Sequence, residues 1–272
     1  VTDLEHFLVL LHSVPGIRDR TIYKILKFLY FEGISPTRFL EFDENTYQKR
    51  VGLSRVSSSV LANNLVKLLD NTQKLVDKME ERGFKVLSIF EESYPSKLKK
   101  YMESPPPILY IRGDIKLLSE ELLALFNSRN SSRNSRIACN KSAIKVAKRF
   151  GNAVITGLYG KNYSFRDYIE SKLIGISDRG ILQISKKKLD RFDLVVTFSG
   201  LDDMGTPSSM VYRDRMIMSL GDIIVGLCIR EGGNMVDLFK KALKMGKKVF
   251  VLENEIGGNI ELLKLGIRPL KI

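Results

Sequence analysis

Apolar positions recur at three- and four-residue spacings through LEHFLVLLHSV, RTIYKILKFLYF and SSSVLANNLVKLLDNTQKLVDKMEERG, which predicts helices over residues 1 to about 85. The joints between them are informative. Val14-Pro15-Gly16-Ile17 breaks the first helix from the second, and Val51-Gly52-Leu53-Ser54 precedes the long third one, whose serine-rich start suits a cap. Each joint has the form of a helix-hairpin-helix turn, in which a glycine exposes backbone N–H groups that can hold a nucleic-acid phosphate. Gly16, Arg18, Gly52 and Arg55 are the residues such a module would use. A small helical bundle also needs Pro-Gly turns for purely steric reasons, so both readings stay open.

The pattern then changes. A connector, KVLSIFEESYPSKLKKYMESPPPILYIRGD, ends in Pro105-Pro106-Pro107, which cannot continue a helix and delivers the chain into the β-rich ILYI. Beyond it, short apolar β-branched runs (LLALF, AVIT, GILQIS, LVVTF, DIIVGLCI, KKVFVLE) alternate with helical ones (SAIKVAKRFG, FRDYIESKLIG, RDRMIMSLG, MVDLFKKALKMG, NIELLKLG). Strands that are apolar throughout and alternate with helices imply a mostly parallel sheet covered on both faces. The expected fold is therefore α/β: a Rossmann-like doubly wound sheet over 113–272, a connector with a leading strand over 86–112, and a small all-α helix-hairpin-helix or SAM-like domain over 1–85.

Composition narrows the function classes. The apolar runs are far shorter than the ~20 residues of a spanning helix, and FLVLL is broken by His12 without a basic flank, so no membrane association and a cytoplasmic location are expected. Cys139 and Cys228 show no CxxC spacing, so neither a disulfide framework nor zinc is expected. His6 and His12 are the only histidines and suit neither a paired metal site nor a triad. The charge matters more: 44 Lys+Arg against 31 Asp+Glu give a net +13, which favours a polyanionic partner, with nucleic acid first. Surface lysine kept for solubility alone gives the same total, so position decides.

In a doubly wound sheet, ligands collect where strands end and helices begin. Asn127-Ser128-Arg129 follows LLALF, and Thr156-Gly157 with Lys161 follows AVI. Ser199-Gly200 follows LVVTF, Arg230-Glu231-Gly232-Gly233-Asn234 follows DIIVGLCI, and Glu253-Asn254 with Gly257-Gly258-Asn259 follows KKVFV. Glycine, small hydroxyls and positive charge converge on one edge, which suits a phosphate: backbone approaches closely, helix starts add partial charge, and Arg129, Arg133 and Lys161 add full charge. Solvated turns use the same residues. Tyr163 offers a face on which an unpaired base can stack beside Lys161. Arg213 and Arg215 flank Asp214 at what reads as a helix start; they either reach the same edge or pair with acids as a structural network. A dinucleotide cofactor is not expected, because G-x-G-x-x-G and its ribose-binding acid are missing, and so is a P-loop.

In order along the chain, YPSKLKKYMESPPPILYIRGD, LALFNSR, AVITGLYGK, YRDRMI, EGGNM, KKVFVLEN and GGNIELL resemble the DNA-processing protein A family, also called Smf. NSR stands at that family's Gly-Ser-Arg phosphate loop, TGLYGK at its Ser-Gly-Leu-Ala-Arg/Lys-Gly loop, YRDRMI at its Arg-Asn-Arg-Ile-Ile segment, and EGGNM at its Ser-Gly-Ser-Leu loop. The chain departs from the pattern in several places: Asn127 replaces a glycine, the basic residue is displaced to Lys161 by Tyr159-Gly160, the family's acidic and histidine positions after that loop are here Asn162 to Arg166, and Asp214 replaces an asparagine. A Cβ at Asn127 restricts how closely a phosphate approaches.

The resemblance implies a single-stranded DNA-binding protein without catalytic residues, metal or cofactor. It also implies a homodimer that protects single strands in natural transformation and recombination and helps load the RecA recombinase past single-strand-binding protein. The alternative is a nucleotide-ligand-binding sensor on the same fold. A nucleotide phosphoribohydrolase ranks last, because Gly232-Gly233-Asn234-Met235-Val236-Asp237 lacks the Gly-Thr and the glutamate spacing of that chemistry.

Overall fold

The computed structural model describes residues 4–128, 133–159 and 161–272, with backbone alone at 133–136 and 161–164. It opens with α1 (Leu4–Ser13), α2 (Asp19–Glu32), α3 (Pro36–Leu40), α4 (Glu44–Lys49) and α5 (Arg55–Glu81). Local chemistry sets their bounds. Gly33 closes α2 in the left-handed region at φ 62°, and Ser35, Asp43 and Ser54 cap α3, α4 and α5 by accepting from Arg38, Thr46 and Ser57 N–H groups. The apolar periodicity reveals α1, α2 and α5 but not α3 and α4, which are too short to repeat a face and are marked only by their caps.

The remaining elements are β1 (Lys85–Ser88), α6 (Ser96–Tyr101), β2 (Ile108–Gly113), β3 (Leu122–Asn127), α7 (Arg133–Phe150), β4 (Ala153–Gly157), β5 (Leu173–Ser177), α8 (Lys186–Leu189), β6 (Leu194–Thr197), α9 (Pro207–Leu220), β7 (Ile223–Cys228), α10 (Asn234–Lys244), β8 (Lys248–Leu252), α11 (Gly257–Lys264) and β9 (Arg268–Leu270). Among the described residues the strands form one sheet in the order β1-β2-β6-β5-β4-β3-β7-β8-β9. Strands β3 to β9 run parallel, whereas β2 is antiparallel to β6 and to β1. The fold is thus the Rossmann-like α/β architecture expected, and the connector contributes two strands to the sheet. The order reverses at β3, whose neighbours are β4 and β7, so the crevice for a ligand opens there.

Alternation along β3 divides the core. Leu123 and Leu125 face one apolar layer, shared with Ala143 and Val146 of α7 and with Phe7, Leu61 and Leu65 of the helical module. Leu122, Ala124 and Phe126 face the other, with Met216 and Ile217 of α9, Phe239 of α10 and Leu262 of α11. At the seam between module and sheet, His12 stacks on Tyr110 with ring centroids 5.7 Å apart, and its Nδ1 shares a 3.1 Å hydrogen bond with the Tyr110 hydroxyl. Loss of hydration lowers the His12 imidazole to about 4, against a smaller upward pull from Asp203.

The sequence misplaces one strand and misses a covalent link. GILQIS was expected as a strand, but the strand is LIGIS at β5, and Ile181–Gln183 is a 3₁₀ turn. Pairing decides between the two runs, since β5 fits between β4 and β6, while among the described residues no strand pairs with Ile181–Gln183, whose Leu182 N–H donates instead to the Leu201 carbonyl. Cys139 and Cys228, expected as unlinked buried thiols, form a disulfide between α7 and the end of β7. They meet because α7 packs across β7, a contact that a separation of 89 residues hides in the sequence.

Candidate functional site

A cleft of about 400 Å³ opens at the carboxyl edge of the sheet, over the ends of β3, β4, β5 and β7. Its floor is charged. The Arg213 guanidinium donates from Nη1 to Asp178 Oδ1 at 3.0 Å, and from Nε and Nη2 to Asp214 Oδ1 at 3.0 and 2.7 Å. Arg213 is only 4% exposed, and Asp178 and Asp214 are buried with it. A Cβ on Gly157 would meet Arg213 Nε at 3.2 Å, so a side-chain-free residue at the end of β4 lets the guanidinium lie against the backbone. Arg213 stands in the second turn of α9, which begins at Pro207 behind a Thr206–Ser209 capping box. It is therefore not at the helix start that the sequence indicated.

The rim is built from neutral donors and exposed cations. A register shift after Phe126 places a bulge where β3 meets β7, and there Ser128 N–H donates to the Cys228 carbonyl at 2.8 Å while its hydroxyl accepts the Arg230 N–H at 3.0 Å. These two bonds fix the loops after β3 and β7 relative to each other. Asn259 braces the same corner from 0% exposure: its Oδ1 accepts the Ile229 N–H and its Nδ2 donates to the Leu227 and Leu252 carbonyls. A Cβ on Gly258 would sit 2.3 Å from the Ile229 carbonyl oxygen, so that glycine lets α11 press against the corner. Helix α10 points its N-terminus at the cleft with Gly233 as an N-cap that makes no side-chain hydrogen bond, so its first backbone N–H groups face the cleft, with Asp237 as the acid of the first turn.

Beside the cleft, Tyr159 anchors its hydroxyl on the Gln183 carbonyl at 2.8 Å, with the Arg179 guanidinium 4.3 Å and the Lys188 ammonium 3.9 Å from its ring centre. Lys188 is held below its ordinary value, by burial first and then by repulsion from Arg166, Arg179 and Arg191. Cations crowded closely enough to repel one another gain when an anion enters between them.

The expected residues fall into four groups. Asn127, Ser128, Arg213, Gly233 and Asn234 line the cleft, and Gly157 backs Arg213. Arg215 is exposed on the flank of α9, and Gly232 sits at φ 59° in the loop before α10, its N–H donating to Glu261. Arg129 and the side chains of Arg133, Lys161 and Tyr163 lie outside the described residues. Gly16 and Gly52 take φ 83° and 73° in the two helical hairpins, with Arg18 and Arg55 exposed at the helix starts that follow, and none of the four lines the cleft. The sequence reading gave no role to Asp178 or Arg179, and it placed Arg230 at the strand edge without assigning it a contact. Misplacing β5 hid the first two, whereas Arg230 stood visibly at the end of β7. Among the described residues no group of three or more His, Cys, Asp or Glu side chains is placed to hold a metal ion, and no helix is long and apolar enough to cross a membrane.

Comparison with known proteins bears on this geometry. A family model described as DNA recombination-mediator protein A matches residues 85–160. The structure of DNA processing protein A from Streptococcus pneumoniae superposes at a TM-score of 0.73 with 18% identity, covering 97% of this chain and 94% of that one. DNA processing protein A from Helicobacter pylori, described for its single-stranded DNA binding mode, superposes at 0.56 with 22% identity, covering 68% of this chain and 90% of that one. At such identities the likeness of structure concerns the fold. No curated protein matches the sequence.

Proposed function

We propose that this chain is a DNA recombination-mediator protein A, as the family model matched over residues 85–160 suggests, and that it binds single-stranded DNA in the strand-edge cleft and serves DNA recombination without catalysing a reaction. The observation that carries this reading is the Arg179 guanidinium and the Lys188 ammonium held 4.3 and 3.9 Å from the Tyr159 ring centre, next to the N-terminus of α10 at the switch point of the sheet. Stacking on an aromatic ring together with charge on the backbone is how single strands are held without regard to sequence. The buried Arg213 shapes the floor, and the strand itself is held at the rim by Ser128 and the Gly232-Gly233-Asn234 turn; Arg129, Arg133, Lys161 and Tyr163, whose side chains lie outside the described residues, are the further contacts that the sequence assigns to it. In this reading the protein works in the cytoplasm as a homodimer, protects single strands, and assists RecA against single-strand-binding protein.

The cleft volume of about 400 Å³ favours a second reading, a sensor for a single nucleotide. Anisotropy of labelled oligo-dT of increasing length, at low and moderate salt, separates the two. A single-strand groove gives affinity that grows with length, falls steeply with salt, and is lost in an Arg129→Ala/Lys161→Ala double variant. Absence of oligonucleotide binding at low salt would remove the single-strand reading, and a nucleotide screen would follow.

A further inference from the structure

The outer face of α2 carries a second arrangement that the cleft does not explain. Arg20, Lys24 and Lys27 alternate with Tyr23, Tyr30 and Phe31, all exposed, at spacings of three and four that place them on one helical face. Tyr23, Tyr30 and Phe31 are 39%, 61% and 68% exposed. Phe90, just past β1, gathers them: its ring centre lies 5.1 Å from Tyr30 in a stacked geometry, 5.7 Å from Tyr23 and 6.4 Å from Phe31. Large rings grouped in water mark an interaction surface rather than a scatter of exposed apolar residues.

Charge selects the partner. Arg20 and Lys27 make no ion pair or hydrogen bond among the described residues, and Lys24 donates to the Gly52 carbonyl at 3.2 Å, which neutralises nothing. The nearby Glu91 turns its carboxylate inward to accept the Ser88 N–H at 2.6 Å, leaving Glu32 as the acid of the helix end. A face of cations and flat rings fits a strand that is polyanionic along its backbone and aromatic in its bases.

The topology sets this face beside the cleft. Since β1 is antiparallel to β2, and β2 to β6, β1 runs parallel to β6 and its carboxyl end delivers Phe90 to the edge where the cleft opens. Four steps in the strand order separate β1 from β4, which at ~4.8 Å per step is roughly 20 Å.

We propose that the Arg20–Phe31 face of α2, with Phe90, is a second contact for single-stranded nucleic acid, stacking bases on its rings and extending the track that begins in the cleft. A strand short enough to occupy the cleft alone does not reach it; a longer one gains affinity from it. The contact stands on its own residues, and the experiment separates its failure from that of the cleft.

Labelled oligo-dT of increasing length is titrated into the wild type, a Tyr23→Ser/Tyr30→Ser/Phe31→Ser variant and an Arg230→Ala/Asn234→Ala variant, with folding checked by circular dichroism and mass by light scattering. The expected result is that the shortest oligonucleotides bind the wild type and the ring variant alike, whereas long ones bind the ring variant about tenfold or more weakly. The cleft variant loses affinity at every length. A ring variant that tracks the wild type at all lengths overturns the proposal and leaves the cleft standing. So does one that changes only self-association, which would make the face a contact between copies of the chain. If the ring variant loses binding while the cleft variant keeps it, the cleft reading fails and the α2 contact stands; if no length binds the wild type, both fall.

Discussion

The floor and the rim of the cleft both hold arginine, yet the two arginines do different work. Arg213 is buried between Asp178 and Asp214, and its charge is spent inside the protein; Arg230 is exposed beside Ser128 and the start of α10, where among the described residues no carboxylate pairs with it. Burial makes the difference. A guanidinium removed from water needs carboxylates, so the floor is a structural element that fixes where β4, β5 and α9 meet, whereas an exposed guanidinium keeps its charge for a visitor. Residue type alone does not locate a binding site; the partners already present do.

The comparison breaks most readily at the floor. Replacing Arg213 by alanine strands two buried carboxylates, and the protein should lose about 3–5 kcal/mol of stability in urea unfolding. A midpoint unchanged from wild type would mean that those carboxylates reach water and that the floor is part of the rim.

The wall between them rests on Cys139–Cys228. The Cys228 carbonyl receives the Ser128 N–H, so the disulfide links α7 to the strand that holds the rim in place. Closing a loop of 89 residues restricts the unfolded chain strongly, and reduction by dithiothreitol should lower stability by about 3 kcal/mol. The same loss is expected in a Cys139→Ser/Cys228→Ser variant, and equal midpoints with and without reductant would count against the link.

Much of this was legible beforehand, for a physical reason in each case. Strand-helix alternation with strands apolar on both faces leaves few options besides a covered parallel sheet, and the edge where loops collect follows from that topology. Asn127, Ser128 and Asn234 were placed by that logic and do meet in one cleft. The roles of Asp178 and Arg213 were not legible. LIGIS and GILQIS are equally apolar, so only strand pairing shows that Asp178 follows β5, and Arg-Asp-Arg reads alike whether the aspartate partners its neighbour or water. The disulfide and the aromatic face of α2 with Phe90 join segments far apart in sequence, and only the folded chain shows them.

A buried polar contact at the seam sharpens the contrast, because there the group is kept neutral. His12 has a folded value of about 4, below its ordinary 6.5. Between those values the unfolded chain takes up a proton that the native chain refuses, so stability is complete above pH 6.5 and declines as pH falls toward 4. The ring keeps some solvent contact, and about 1–2 kcal/mol should be lost between pH 7 and 5. Urea midpoints measured across that range should flatten in His12→Asn. A variant with the wild-type slope would assign the decline to other groups.

The smallest expected effect tests the rim itself. Arg230 is exposed and makes no ion pair among the described residues, so Arg230→Ala should leave the urea midpoint within about 0.5 kcal/mol of wild type. Its effect should lie in binding: about tenfold weaker affinity for a long oligo-dT, and a log-log salt slope shallower by about one, as expected when one phosphate contact is removed. The two readouts depend on opposite properties of the same kind of side chain. Arg213→Ala alters stability because its charge is already satisfied within the protein, and Arg230→Ala alters salt dependence because its charge is not. Should Arg230→Ala keep the wild-type slope, the strand passes the rim elsewhere, and the cations around Tyr159 become the segment of the edge that meets its phosphates.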